Sequence, residues 1–479
     1  MKRLTLLAVL CAFVLGMAAS ASAAEIKASG SWAVEAVWKS NWQFQTDNKA
    51  NDMQTFNVKQ RATTSFEFIA NENLKGVMQL RYGTGAWGND VFGLGNGDSN
   101  TAGTATQLRV RQAYLDFNWP GTQQNIVAGY KSVSLPAMFG GGSYILDEEI
   151  ATAMVSGPIT DNVSYLVGYA RAFQNDDENG EAGKLDNVDG YYAALPLSFE
   201  GFDIVPFGMY ANIGENVTAT DVTAASSKMK GLAAVSAQAA SGNDSDFDNA
   251  WWLGLGFKMD LFDPFVFKAD LNYGTVDADD DYNKRAGWLF DAALEYKGFD
   301  FMTPEVFFAY TSGEDEADNG TAASSGAYGK SHRMPVLAAS NWAVGSFFIG
   351  GDTLLDGSIN NRNASLGFWT LGVSFKDIAS FLDGMSHTVH VLYMQGTNDK
   401  DLATFAANGN AVNNVAYGRT LTEDDSLWEV DVNTAYKVYD ELTLTLDLGY
   451  INMDATNKWD VKDKGGDAWK ISTGVLYQF

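Results

Sequence analysis

Along most of the chain, apolar and polar residues exchange at every second position. Between Asn249 and Asp260, Trp251, Leu253, Leu255, Phe257 and Met259 share one parity, while Trp252, Gly254, Gly256 and Lys258 share the other. Phe265, Phe267, Ala269, Leu271 and Tyr273 oppose Val266, Lys268, Asp270 and Asn272 in the same way, and Leu442, Leu444, Leu446, Leu448 and Tyr450 oppose Thr443, Thr445 and Asp447. A period of two sends the two classes to opposite faces of a β-strand. Eighteen such segments run from Trp32–Gln45 to Ala468–Phe479, and sixteen is the next count if weak ones such as Ile150–Ser156 are set aside.

The connections between segments fall into two alternating kinds. Short ones lie near Asn71-Glu72-Asn73, Pro120-Gly121, Glu200-Gly201, Leu261 to Pro264, Gly298-Phe299 and Tyr439-Asp440. Long polar ones span Thr84–Ala105, Gln174–Asn187, Glu215–Asp248, Gly313–Asn363, Asn398–Asp425 and Met453–Asp467. Tight turns at one end and extended loops at the other are the pattern of a transmembrane antiparallel β-barrel, with long extracellular loops and short periplasmic turns. Tyr and Trp recur near segment ends, as at Trp32, Trp119, Tyr210, Trp251, Tyr296, Tyr310, Tyr393, Trp428, Tyr436, Tyr450 and Trp469, where they would form interfacial girdles. A soluble β-sandwich would have to cover these aromatic faces with protein. Lipid covers them in a barrel, and closure leaves no strand edge.

The start of the chain sets the compartment. Lys2 and Arg3 precede an apolar run from Leu4 to about Gly16, and Ala21-Ser22-Ala23-Ala24 supplies small residues for cleavage. Residues 1–24 therefore read as a secretory signal peptide and 25–479 as the barrel domain. Nothing downstream is long and apolar enough to span a bilayer as a helix. The single cysteine, Cys11, falls inside the signal, so disulfide frameworks, catalytic thiols and thiolate metal sites are all excluded.

The formal charge of −27 becomes −29 on loss of Lys2 and Arg3, which excludes nucleic acid as a partner. Enzyme readings fail on residue supply: His387 and His390 have opposite parity in one strand, and no nucleophile and base are placed together. Gly93-Leu94-Gly95-Asn96-Gly97 lacks the strand-to-helix context of a phosphate loop. No cofactor is expected. The long loops hold acidic runs, including Asp176-Asp177-Glu178 and Asp277 with Asp279, Asp280 and Asp281. These read as solvated surface, although clustered carboxylates also suit Ca2+ or Mg2+.

A pore works through its inward face. On the first five segments that face carries Lys59, Arg61, Arg81, Arg109, Arg111 and Lys131. Successive strands of a meander are neighbours, so these cations form a basic wall in the lumen. After the fifth segment comes Leu135-Pro136-Ala137-Met138-Phe139-Gly140-Gly141-Gly142-Ser143-Tyr144, followed by Asp147, Glu148 and Glu149. If this loop bends inward, its acids face the basic wall and set up a transverse field that selects solutes.

This loop resembles the third, constricting loop of general diffusion porins, and Arg111-Gln112-Ala113-Tyr114 resembles the fourth-strand motif of that group. Trp469, Ile471, Thr473, Val475, Tyr477 and Phe479 alternate up to a terminal aromatic, similar to the closing strand of outer-membrane barrels that the barrel assembly machinery reads. By architecture the resemblance covers the mature chain and is nearest to the homotrimeric porins of sulfate-reducing deltaproteobacteria. It implies a Gram-negative outer-membrane location, contact with lipid and lipopolysaccharide, a homotrimer, and passive diffusion of ions and small polar solutes. Two departures qualify it. Ala137-Met138 stands where the family carries a loop glutamate, and eighteen strands match the trimeric sugar-specific channels rather than the sixteen-stranded general porins. A channel specific for sugars or carboxylates is therefore the alternative, and a surface protein without a pore is a third.

Overall fold

The computed structural model describes residues 24–42, 44, 55–87, 108–174, 187–214, 217, 230–232, 247–278, 284–315, 331–338, 341–350, 354–355, 357, 367–407, 417–456, 459 and 465–479. The signal segment up to Ala23, the acidic run at 176–178, the glycine run at 93–97, and Asp279, Asp280 and Asp281 lie outside them.

The described strands close into one antiparallel barrel. In chain order they are β1 (Glu25–Ser40), β2 (Thr55–Asn71), β3 (Leu74–Ala86), β4 (Leu108–Asn118), β5 (Asn125–Ser134), β6 (Asp147–Thr160) and β7 (Val163–Phe173). β8 runs over Val188–Ala194 and continues over Leu197–Phe199. There follow β9 (Phe202–Ile213), β10 (Phe247–Met259), β11 (Phe265–Ala278), β12 (Arg285–Tyr296), β13 (Thr303–Thr311) and β14 (Phe368–Ala379). β15 (Met385–Gly396), β16 (Ser426–Tyr439), β17 (Leu442–Asp454) and β18 (Gly465–Gln478) complete the wall.

The two pieces of β8 are one strand. Ala194 pairs with Leu166 and Phe207, and Leu197 pairs with Val163 and Ile204, so the register passes unbroken over the Leu195-Pro196 gap. Pro196 offers no N–H to the ladder, which is why pairing lapses there. Each strand then pairs with its sequence neighbours, and β18 closes on β1 from Ser31↔Gln478 to Ser40↔Trp469. The Gly30 N–H donates to the Phe479 carbonyl at 2.8 Å and the Phe479 N–H returns a bond at 3.1 Å. A side chain at Gly30 would meet the Thr63 carbonyl at 2.2 Å. All eighteen expected strands are present, including β6, which begins earlier than the sequence pattern marks it.

Alternation resolves into an apolar outside and a mixed inside. Leu253, Val306, Leu371 and Trp428 are all more than half exposed, while Trp252, Ala309, Thr370 and Glu429 are fully buried on the lumenal face. No helix among the described residues is long and apolar enough to span a membrane. Around the loop-side rim, outward aromatics pair strand by strand: Tyr210↔Trp251, Tyr273↔Trp288, Tyr310↔Trp369, Tyr393↔Trp428 and Tyr450↔Trp469. Trp119, Phe299, Phe301 and Tyr439 are exposed near the short turns at the other end. Two aromatic girdles bounding an apolar band are what the headgroup regions of a bilayer favour.

On the loop side, a buried polar cluster ties three connections together. Arg285, at the head of β12, donates to the carbonyls of Gly231 (3.1 Å) and Leu232 (2.9 Å). Beside it, Arg333 lies 3.8 Å from Glu314, which also accepts from the Ser331 hydroxyl at 2.8 Å. Burial pushes the Glu314 carboxyl above its ordinary value despite the pull of Arg333. Each buried carbonyl stripped of its donor costs about 1–3 kcal/mol. Replacing Arg285 with Met should therefore lower the thermal midpoint of the detergent-solubilised barrel, followed by tryptophan fluorescence; an unshifted midpoint would show that the cluster contributes nothing.

Candidate functional site

The interior of the barrel is asymmetric because two connections fold into it. The first is residues 135–146, between β5 and β6, as the sequence suggests. The second corrects an expectation: part of Gly313–Asn363, read from the sequence as an external loop, turns inward over residues 334–338 and 341–349 and packs against the first. The Leu337 and Ala338 N–H groups donate to the Ile145 carbonyl at 2.9 and 3.1 Å, and the Asp147 N–H donates to Ala338 at 2.7 Å. Tyr144 and Trp342 meet edge to face at 4.9 Å. The signal that could have revealed this is composition. Met334-Pro335-Val336-Leu337-Ala338 and Trp342 to Ile349 are too apolar for a solvated loop, and Met334, Val336, Trp342, Phe347 and Phe348 are buried.

The barrel wall holds these loops by its carboxylates. Asp270 on β11 accepts from the backbone N–H of Met138 and of Phe139, each at 2.8 Å. Its cross-strand partner Asp291 on β12 accepts from the Trp342 indole N–H at 3.0 Å. Glu429 on β16 accepts from the N–H groups of Ser346 (3.1 Å), Phe347 (2.8 Å) and Phe348 (3.1 Å), and Asp431 accepts again from Ser346 at 2.8 Å. Three successive N–H groups aimed at one carboxylate form an anion-binding nest. Gly345, at φ +69°, provides the left-handed residue the turn requires. On β1, Glu35 accepts from the Leu355 N–H at 2.9 Å and from the Ser472 hydroxyl. The Phe347 ring rests on Gly449, where a Cβ would lie 1.9 Å from it, and the Lys470 ammonium sits 4.9 Å above its centre.

The basic residues stand on the other side of the lumen. Lys59, Arg61, Arg81, Arg111 and Lys131 are half-buried and Arg109 is exposed, in contrast to the loop-side wall opposite, where Trp252, Ala309, Thr370 and Glu429 are fully buried. Arg81 and Arg109 are direct cross-strand partners. A bulge in β4, where Arg111 and Gln112 together oppose Gln79 of β3, keeps both Arg109 and Arg111 inward. Arg61, Arg81, Arg109 and Arg111 lie close enough to repel one another. Lys131 sits over the Tyr114 ring at 5.2 Å. Towards the short turns, Lys75 is neutralised by Glu67 at 2.8 Å.

The three acids after the first inner loop occupy different positions from those expected. Asp147, Glu148 and Glu149 are the opening residues of β6, paired with Ser134, Val133 and Ser132, and do not project from the loop itself. Asp147 accepts from the Asn341 amide at 2.7 Å, Glu148 from the Glu149 N–H at 3.0 Å, and Glu149 forms an ion pair with Arg111. The strand captures these residues because Ser132–Ser134 offers them a ladder that a free loop would forgo. Asp277 accepts from the neighbouring Ala278 N–H at 3.1 Å, and among the described residues no group of three or more His, Asp or Glu could hold a metal.

A wide, closed barrel with a plugged half and a half-open, arginine-lined half is a transmembrane channel architecture. No family model and no curated protein matches the sequence. Solved structures do share the fold. Acinetobacter baumannii OccAB4 aligns over 96% of this chain and 100% of its own, at 12% identity and a TM-score of 0.52. Acinetobacter baumannii OccAB1 aligns over 97% and 99%, at 11% identity and 0.51, and Pseudomonas aeruginosa OpdQ over 95% and 98%, at 10% and 0.50. At these identities the likeness speaks for the barrel alone.

Replacing Glu429 with Ala strands the Phe347 and Phe348 N–H groups, each left with about 1–3 kcal/mol of unmet desolvation, while the Ser346 N–H keeps Asp431. The second inner loop should loosen, and single-channel recordings should show higher conductance with more current noise. Unaltered traces would mean that the wall carboxylates do not set the width of the passage.

Proposed function

We propose that the mature chain is an outer-membrane porin of a Gram-negative bacterium, passing ions and small hydrophilic solutes by passive diffusion. The observation that supports this most directly is the contrast in exposure: lumenal side chains of β2–β5 stay partly open to water, while those on the loop-side half of β9–β17 are covered by the inner loops. Water can follow the first set through the wall. The closing β18–β1 seam around Phe479, with its outward aromatic row, fits recognition by the barrel assembly machinery.

A second reading is favoured by the arginines. Four guanidinium groups, those of Arg61, Arg81, Arg109 and Arg111, on one side of the lumen attract anions, with Arg111 paired to Glu149. A channel preferring small carboxylates would use this wall as its track. Assembly as a homotrimer is part of the proposal. The outward residues Ala62, Ala113, Ala128, Ala151 and Ala153 make the β2–β6 sector smoother than the aromatic remainder, which suits barrel-to-barrel contact. The loop carboxylates Asp277, Asp279, Asp280 and Asp281 could take Ca2+ or Mg2+ at the membrane surface, between acidic lipopolysaccharide groups.

Planar-bilayer recording under a salt gradient tests both readings. Neutralising Arg109 and Arg111 together to Gln should move the reversal potential toward cations, since two positive charges go and Glu149 loses its partner. Saturable block by a small carboxylate would support the specific channel, and linear conductance without block would support general diffusion. Purified protein that never raises conductance would defeat both.

A further inference from the structure

A second aqueous space exists inside the barrel, apart from the arginine wall. It measures about 680 Å³ and is roofed by the inner loops at Met138–Gly141 and Ala343–Gly345. Its walls come from β11 and β13–β17, and residues near the short turns, including Lys376 and Ser386, lie at its rim. The chamber therefore opens toward the short-turn end and is closed toward the loops. Its volume lies in the range of sites that enclose a small organic ligand.

The two cations of its lining are already matched. The Lys268 ammonium is 2.9 Å from Glu295, and Lys376 lies 2.7 Å from Glu305 and 3.5 Å from Glu295. An anion entering here would have to compete with carboxylates for both cations, and Asp447 and Asp377 would repel it. What remains is a set of uncharged hydrogen-bonding groups. Ser374 and His390 pair at 2.7 Å, Thr388 and Asn433 flank them, and the Thr445 hydroxyl has no hydrogen-bond partner among the described residues. Hydroxyls that donate and accept at close spacing are complementary to other hydroxyls.

We propose that this chamber is a binding subsite for an uncharged polyhydroxy solute of roughly disaccharide size, reached from the short-turn side. The proposal rests on the reading of the chain as a pore and adds a solute class that the arginine wall would not select. The barrel then offers two chemistries side by side, a cationic passage and a neutral hydrogen-bonding pocket.

Sucrose is the probe. Titration calorimetry on the full, detergent-solubilised barrel should show saturable binding. In bilayers, sucrose added on the short-turn side should reduce the current more than sucrose added on the loop side. The double variant Thr388→Val, Thr445→Val keeps shape but removes two hydroxyls away from the inner-loop latch. It should weaken sucrose binding about ten-fold, the usual worth of two net hydrogen bonds, while leaving salt conductance unchanged. The pair Arg109→Gln, Arg111→Gln should alter ion selectivity and leave sucrose affinity as it is. Protein that conducts yet shows no saturable heat up to about 100 mM sucrose overturns the subsite alone, because such weak binding is below about 1.4 kcal/mol of useful discrimination. Equal affinity in the Thr388, Thr445 double variant also overturns it, and protein that binds sucrose but never conducts overturns the pore reading instead.

Discussion

The interior of this barrel is organised by one interaction, repeated: a carboxylate fixed on the wall accepts hydrogen bonds from the backbone of a loop that has folded inside. Asp270, Glu429, Asp431 and Glu35 all do this, Asp291 does the same for the indole N–H of Trp342, and all are buried. Burying an ionised carboxylate is costly unless its lone pairs are satisfied. Burying loop backbone is costly for the same reason, because its N–H groups have no strand to pair with. Each group removes the penalty of the other. The wall chooses which turns can dock, since only a turn presenting successive N–H groups, as Ser346 to Phe348 does, can fill a carboxylate's acceptors.

Outside, a different constraint rules. In hydrocarbon every backbone group must be paired within the wall, which permits only a closed sheet. The register from β18 back to β1 meets that condition at Gly30 and Phe479. Closure also fixes the parity of every side chain, so the carboxylates that hold the loops and the aromatics that form the girdles are set by a single choice of register. Tyr450 faces outward and Lys470 faces inward on paired strands for that reason.

The outer half of this logic was legible in the sequence. Alternation revealed all eighteen strands and the sense of their faces, because lipid requires the period to hold along the full crossing. The basic positions from Lys59 to Lys131 were legible too, since polar residues on a lipid-facing strand have only the lumen to face. Less was legible inside. Glu25 to Ser31 was missed as the start of β1 because Ala28 and Gly30 give too little apolar contrast. The short helix α1 (Asp401–Ala407), whose Asp401 N–H donates to Asp399, was hidden in what read as a polar loop. The inward turn at residues 334–338 and 341–349 was passed over because length suggested an external loop, although its apolar content spoke against one. Asp147 to Glu149 read as loop acids because strand alternation is weak where three acids stand in a row.

The asymmetry of the lumen follows from where the carboxylates are. Asp270, Asp291, Glu429 and Asp431 lie on β11, β12 and β16, so the loops they hold fill the loop-side half of that side and leave the chamber beneath them. The strands from β2 to β4 carry arginines where those carboxylates would be, and a guanidinium has only donors to offer a loop N–H, which is also a donor. Arginine therefore cannot dock a backbone turn in the same way. The cations that colour the passage are thus also what keeps it open: a loop finds acceptors on one side of the barrel and donors on the other, and settles on the first. On the proposed reading of the chain as a pore, solute selection and the existence of a path would come from the same distribution of charge.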